Sequence, residues 1–382
     1  MQTLICIPCL LTGGTEIQTL NTVHALVQGG HEVTVACYFE HTPYMVERYR
    51  KAGAKVHLFS LEGTRVGGYR AIPYLYKHLR RSIKEVRPDV THVQYMAPGA
   101  MVILLLWLLG VKNIIATAHT AADIYKDLRL LHFLQRHCLR AFTCITERAE
   151  RSFFGTSQLY TTETVLRKRN HFTIYNARAP RNGEQVRCNV DVDCHPDGNS
   201  KLNTIGVVSR LEPIKGMDLV VPAFAEVLKR FPDVRLLVVG DGTLRATMER
   251  QAAELGCADR ITWVGRQPQE ELAQWYGQMD IVLMPSRSEG FGLTAIEAMA
   301  NGCVMVASNV GGLPEVVRDG VCGLLHCTED VHDMAEKVCT LLDDAALYDR
   351  LRTQALSEVK KYSFERYAEL VCDLYNKICN EP

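Results

Sequence analysis

The sequence predicts an α/β protein of two doubly wound, Rossmann-like domains, and three observations carry that expectation. Short apolar runs alternate with amphipathic stretches through the first half of the chain. The alternation lapses over residues 178–202, rich in Pro, Gly, Asn and Asp, and then restarts. At 382 residues the chain is long enough for each half to bury its own core. Strands that alternate with helices imply mainly parallel sheets covered on both faces. The expected boundaries are 1–180 for the first domain, 181–202 for a linker and 203–362 for the second domain.

In the first half, residues 3–7 read as a buried strand leading into the turn Gly13-Gly14. Ile17, Leu20, Val23, His24, Leu26 and Val27 then repeat at helical spacing until Gly29-Gly30 stops the helix. Further strands are expected over residues 32–37, 55–58, 90–93 and 113–117. In the second half they are expected over 205–209, 234–239, 261–264, 281–284 and 304–307. A terminal helix over 363–380 takes its apolar stripe from Tyr367, Leu370, Val371, Leu374 and Tyr375.

The formal net charge is zero but unevenly spread. Residues 1–180 hold 22 Lys and Arg against 12 Asp and Glu, and the remainder holds 21 against 31. The halves therefore present different surfaces to partners. Met1 runs straight into apolar residues without a basic leader, which reads as a cytoplasmic protein. The uncharged stretch over residues 96–111 contains Pro98 and Gly99 and is shorter than the roughly 20 residues of a membrane span. It reads as a buried helix. The 14 cysteines read as reduced and mostly buried, and Cys6-Ile7-Pro8-Cys9 has too little chain before it for a redox motif.

The chemistry concentrates in the second half. Residues 284–297, Met-Pro-Ser-Arg-Ser-Glu-Gly-Phe-Gly-Leu-Thr-Ala-Ile-Glu, run from a strand end through a loop into a helix that starts near Gly292. The N–H groups of Gly292, Leu293 and Thr294 and the helix dipole suit a phosphate there. Gly290 and Gly292 let the backbone approach a ligand closely. Glu297 lies about 7 Å further along the helix axis, at the ~1.5 Å rise per residue, where a carboxylate suits the two hydroxyls of a ribose. Glu289 sits in the loop and reaches another part of the ligand. Arg210 and Lys215 follow the first strand of the same domain, so they face the same rim and can grip phosphate oxygens. Two cations and a helix terminus are what a departing nucleoside diphosphate requires.

These residues resemble glycosyltransferase family 4, the large retaining group with the GT-B fold, in which two Rossmann-like domains face a central cleft. The resemblance runs along the whole chain and is strongest over 203–325. It is carried by Glu289 and Glu297 with seven residues between, in the context Glu-Gly-Phe-Gly that includes Phe291. Val239-Gly240-Asp241-Gly242, Trp263-Val264-Gly265, Gly311-Gly312-Leu313-Pro314-Glu315, Asp319-Gly320 and Gly323-Leu324-Leu325 add to it. The resemblance implies that Arg210 and Lys215 bind the donor diphosphate, Glu297 the ribose and Glu289 the transferred sugar. It places Gly265 and Arg266 near the base, and makes Gly13-Gly14-Thr15-Glu16 a loop over the phosphates. It makes His119 the histidine that reaches the donor sugar, and folds the terminal helix back on the first domain. Ile174-Tyr175-Asn176 resembles the segment leading into the linker, although Ala177 stands where the family often has Gly.

The expected reaction is transfer of a sugar from a nucleoside-diphosphate donor to an acceptor hydroxyl, with retention, without a metal or other cofactor. Asp191-Val192-Asp193 spells the metal-binding Asp-x-Asp of other glycosyltransferases but falls in the polar linker. A dinucleotide dehydrogenase finds only Gly13-Gly14 in the first turn, although Glu40 imitates its ribose-binding acid. An epimerase or phosphorylase of the same fold, or a non-catalytic sugar-nucleotide-binding subunit, remains as an alternative. Nucleic-acid binding finds no motif. The acceptor is expected to be a sugar or a lipid-linked precursor of a surface polysaccharide or glycolipid. Residues 74–87 read as a basic amphipathic helix, with Arg48, Arg50 and Lys51 near in sequence, able to rest on an anionic membrane surface.

Overall fold

The structure is a computed structural model that describes residues 1–94, 96–121, 127–178 and 202–380. The chain divides into two compact units, Met1–Ala179 with Tyr362–Pro382, and Pro180–Lys361. The segment that spells Asp191-Val192-Asp193, and most of the expected linker, lies outside the described residues.

The first unit contains strands β1 (Gln2–Ile7), β2 (Glu32–Cys37), β3 (Lys55–Leu58), β4 (Val90–Gln94), β5 (Ile114–Ala118), β6 (Ala141–Cys144) and β7 (His171–Thr173). They form one parallel sheet in the order β3-β2-β1-β4-β5-β6-β7. Its helices are α1 (Gly14–Gln28), α2 (Pro43–Lys51), α3 (Ala71–Val86), α4 (Met96–Leu108), α5 (Arg129–His137) and α6 (Glu147–Phe154). Successive residues of β1 serve opposite faces, as a two-residue repeat demands. Ile5 and Ile7 pack with α1 and α2 residues such as Leu20, Val23, Met45 and Tyr49. Leu4 and Cys6 pack with α3 to α6 through Leu75, Leu79, Val102, Leu134 and Phe153. Helices α2 and α6 start at Thr42 and Thr146, whose hydroxyls accept from Met45 N (3.3 Å) and Ala149 N (3.1 Å), caps worth about 1 kcal/mol each.

The second unit contains β8 (Thr204–Val208), β9 (Arg235–Val239), β10 (Ile261–Gly265), β11 (Ile281–Met284), β12 (Val304–Ser308) and β13 (Gly323–His326). They form a parallel sheet in the order β10-β9-β8-β11-β12-β13. Its helices are α7 (Val220–Leu228), α8 (Arg245–Glu254), α9 (Leu272–Tyr276), α10 (Leu293–Ala300), α11 (Leu313–Val316), α12 (Val331–Asp343) and α13 (Ala345–Glu358). A core of Ile205, Val207, Phe224, Leu236, Val238, Ile281, Val306, Val338 and Leu351 joins sheet and helices. The strands read as continuous apolar runs because both faces are covered. Helix α14 (Phe364–Asn380) belongs to the first unit, packing Tyr367, Val371, Leu374 and Tyr375 into the α1 side of its core.

Three sequence expectations change. Strands β6, β7 and β13, of three or four residues each, add to the ten strands expected. The uncharged stretch does form α4, but it is not a wholly buried helix: Met101, Trp107 and Leu108 are exposed. No helix among the described residues is long and apolar enough to cross a membrane. Finally, α2, which bears Arg48, Arg50 and Lys51, packs on the opposite face of the sheet from α3. The basic residues that adjoin in sequence therefore do not share one surface.

Candidate functional site

In the second sheet β8 pairs with β9 on one side and β11 on the other, so the strand order reverses at β8. Loops leaving the carboxyl ends of strands at such a point form a crevice where ligands bind. Here those loops touch backbone to backbone. A Cβ on Gly216 would lie 1.9 Å from the Pro285 carbonyl oxygen, one on Gly240 1.8 Å from that of Ser209, and one on Gly311 1.8 Å from that of Glu289. All three glycines also have positive φ. The glycines read from the sequence thus fix how closely the rim of the site is assembled, over and above any approach to a ligand.

Helix α10 opens onto this rim. Its N-cap, Gly292, has φ 102 and no Cβ to strike Leu313, which would be 2.7 Å away. Among the described residues the N–H groups of Gly292, Leu293 and Thr294 have no acceptor, so they point to whatever occupies the crevice. Gly290 lies in the loop ahead of them, and Phe291 is buried. Lys215 ends a single 3₁₀ turn, Pro213–Lys215, and its Nζ donates to Glu289 Oε2 at 2.7 Å. Both side chains are mostly shielded, 22% and 14% exposed. Sequence reasoning gave these two residues separate targets; the structure makes them one ion pair. Arg210 is exposed at the same rim. Glu212, two residues on, is held below the usual carboxyl range by the Thr243 hydroxyl and amide, with Arg210 adding to the effect.

Glu297 is held as well. Its Oε1 accepts from Gln269 Nε2 at 2.6 Å and its Oε2 from the buried Tyr276 hydroxyl at 3.2 Å. Gly265 (φ 80) closes β10, its carbonyl accepting from Gly240 N at 2.9 Å, and Arg266 beyond it is exposed.

The remaining residues singled out from the sequence lie in the first unit. Gly13 is the N-cap of α1 and Gly14 its first residue. A Cβ on Gly13 would stand 2.5 Å from the Glu16 carboxylate, which also accepts from the Cys9 thiol at 3.1 Å. Burial pushes the thiols of Cys6 and Cys9 up to about 12, in each case as the largest cause. His119 follows β5 and is buried, its Nε2–H donating to Gln94 Oε1 at 2.8 Å. Burial pushes its pKa down to about 3, so at neutral pH it is a neutral hydrogen-bonding ring. His92 beside it, linked to Tyr375 and Thr117 at 2.6 Å each, is likewise held at about 3 by burial and by His119.

Sequence reading missed Gln269, Tyr276, Gln94 and Arg287. The first three are polar residues among many, and only tertiary structure brings them to Glu297 and His119. Arg287 had a signal, since it stands two residues before Glu289 in the same strand-end loop. Among the described residues no three His, Cys, Asp or Glu gather as a metal would need.

Two parallel-sheet units with loops assembled at a strand-order reversal define the GT-B class of α/β folds. Solved structures agree on that fold. Anabaena HepE in complex with UDP matches with a TM-score of 0.76 over 99% of this chain and 100% of its own, at 17% identity. A glycosyltransferase from Rickettsia africae matches at 0.77 over 100% and 99%, also at 17% identity. The model for glycosyl transferases group 1 matches residues 196–358, and that for glycosyltransferase family 4 matches residues 12–154. A D-inositol 3-phosphate glycosyltransferase of Corynebacterium aurimucosum is 30% identical over 311 residues, 76% of this chain and 72% of that protein. The chain belongs to this glycosyltransferase family. A relative of the same name from Nocardia farcinica is 38% identical over 180 residues, 45% of this chain and only 40% of its own length.

Proposed function

We propose that this chain transfers a sugar from a nucleoside-diphosphate-sugar donor to an acceptor hydroxyl, with retention of anomeric configuration and without a divalent metal. The observation that carries the reading is the open N-terminus of α10 with Lys215, Glu289 and Arg210 at one rim. As the glycosidic bond breaks, negative charge grows on the diphosphate. Three backbone N–H groups, the helix dipole and two cations stabilise it without reorganising. Among the described contacts Lys215 spends one of its three donors on Glu289, leaving two for phosphate oxygens. Glu297, oriented by Gln269 and Tyr276, suits the ribose hydroxyls, and Glu289 a sugar hydroxyl.

Neither carboxylate stands free as a nucleophile, since each is held by neighbouring donors. That supports front-face attack, in which the leaving phosphate oxygen takes the acceptor proton while the acceptor oxygen forms the new bond. The names of the relatives and the UDP bound to HepE support a nucleotide sugar as donor. The test is turnover against a panel of UDP-, GDP- and ADP-sugars, with and without acceptor extracts. Acceptor-dependent release of nucleoside diphosphate is expected. Release of phosphate-linked sugar, epimerised donor, or binding without turnover would replace the reading by phosphorylase, epimerase or non-catalytic subunit. Activity should persist in EDTA; loss in EDTA that manganese or magnesium restores would contradict metal independence.

The acceptor proposed is a lipid-linked precursor of a surface polysaccharide or glycolipid, reached by visiting an anionic leaflet from the cytoplasm. Helix α3 supports this, because Lys77, Arg80 and Lys84 are exposed opposite the buried Leu75 and Leu79. The neighbouring α4 and α5 expose Trp107, Leu108, Leu130 and Phe133 on the same side of the sheet. Each basic residue near such a surface contributes on the order of 1 kcal/mol. Sedimentation with anionic vesicles that fades with salt is expected; no binding in any condition would leave a soluble acceptor.

A further inference from the structure

We infer that Arg287 is a positioning residue that sets the Lys215–Glu289 pair, an inference that rests on the donor reading above. Arg287 places every guanidinium proton on an acceptor. Its Nε and Nη2 donate to the two oxygens of Glu329, its Nη1 and Nη2 to the two oxygens of Asp218 at 2.6 and 2.8 Å, and its second Nη1 proton to the Pro213 carbonyl. Five donors in a rigid fork are thereby all used. Its own backbone N–H donates to the Ile214 carbonyl at 3.0 Å. The two carboxylates raise the Arg287 pKa beyond its already high value, and Arg287 holds Asp218 below the usual carboxyl range against the opposing pull of burial.

The partners explain the role. Pro213 and Ile214 immediately precede Lys215, and Arg287 itself precedes Glu289 by two residues. Gly216, just after Lys215, lies against the Pro285 carbonyl so closely that no Cβ fits. Arg287 thus ties the loop that carries the cation to the loop that carries the carboxylate, and ties both to Glu329 on the segment after β13. Glu329 holds a left-handed φ of 66, a conformation that L-residues rarely adopt. An ordinary surface ion pair contributes little and would serve stability alone. This one fixes two backbones on either side of a 2.7 Å contact. Arg287 touches no reacting atom in this scheme; it acts through Lys215.

A double-mutant cycle read by binding tests that dependence. Inorganic pyrophosphate is the probe, since it presents the diphosphate without committing to a base or sugar, and its dissociation constant is measured by calorimetry at low salt. Circular dichroism and melting temperature establish that each variant is folded. Arg287→Ala is expected to weaken pyrophosphate about tenfold when Lys215 is present, and less than twofold in the Lys215→Ala background, the non-additivity of residues that act as a unit. Arg287→Lys, with three donors in place of five, is expected to recover only part of the loss. Equal weakening in both backgrounds, or full affinity in folded Arg287→Ala, overturns the positioning role and leaves the donor reading standing. No saturable pyrophosphate binding by the unaltered chain overturns the donor reading, and this inference with it.

Discussion

Gly311→Ala tests how far the site depends on backbone contact. The added Cβ would lie 1.8 Å from the Glu289 carbonyl oxygen and 2.9 Å from its carbon. Real Cβ atoms essentially never come within 3.0 Å of such an atom, so one loop must retreat by about 1 Å. The φ of 58 costs an L-residue roughly 1–2 kcal/mol, and losing the Gly312 N–H to Glu289 carbonyl bond (3.0 Å) costs about 1 kcal/mol more. The expected loss of stability is therefore about 2–3 kcal/mol, a large share of the ~5–15 kcal/mol that holds a protein folded. Displacing the Glu289 backbone by ~1 Å also disturbs its pairing with Lys215, and such misplacement costs on the order of a hundredfold in rate. Gly320→Ala is the control: its φ is 66, but nothing lies within 4 Å of the new Cβ. It should pay only the conformational cost, about 1–2 kcal/mol, and keep its turnover. The assay is denaturant unfolding of both variants beside turnover per folded molecule. Equal stability and equal turnover in the two would refute the reasoning.

Lys215→Ala and Arg210→Ala should each lower turnover about a hundredfold or more, the scale of losing one charge partner in a transition state. Near-normal turnover in both, with the fold intact, would sink the donor site. In the first unit Glu150 is wholly buried and accepts from Arg169 Nη2 (2.8 Å), His171, the Thr173 hydroxyl and the Gln158 amide. Burial alone would raise its pKa, but those hydrogen bonds outweigh it and hold the group below the ordinary carboxyl value. A depressed folded pKa means the stability it contributes is present above the unfolded value and lost as pH falls through the folded one. Glu150→Ala should cost about 3–5 kcal/mol near neutral pH, because Arg169 loses its buried carboxylate partner and His171 and Thr173 lose their acceptor. It should also flatten the acid side of the stability curve; an unchanged acid limb would count against the network.

The period of the apolar residues was enough to place ten of the strands, because a parallel strand buried on both faces is a continuous apolar run between turn residues. The local chain also displayed the glycine loop and helix start at 290–294, since an N-terminus with free N–H groups is a short-range property. Only the tertiary structure decided which charges meet. Lys215 and Glu289 are 74 residues apart and Gln269 and Glu297 are 28 apart, and nothing in their neighbours encodes the encounter. The same holds for α2 and α3, adjacent in sequence but on opposite faces because β3 lies between them and the chain crosses the sheet. Strands β6, β7 and β13 were not read from the sequence. Pairing with neighbours distant in sequence makes them strands. Local geometry follows from local sequence, whereas side-chain encounters depend on how the strands are ordered, and the ordering is a property of the whole chain.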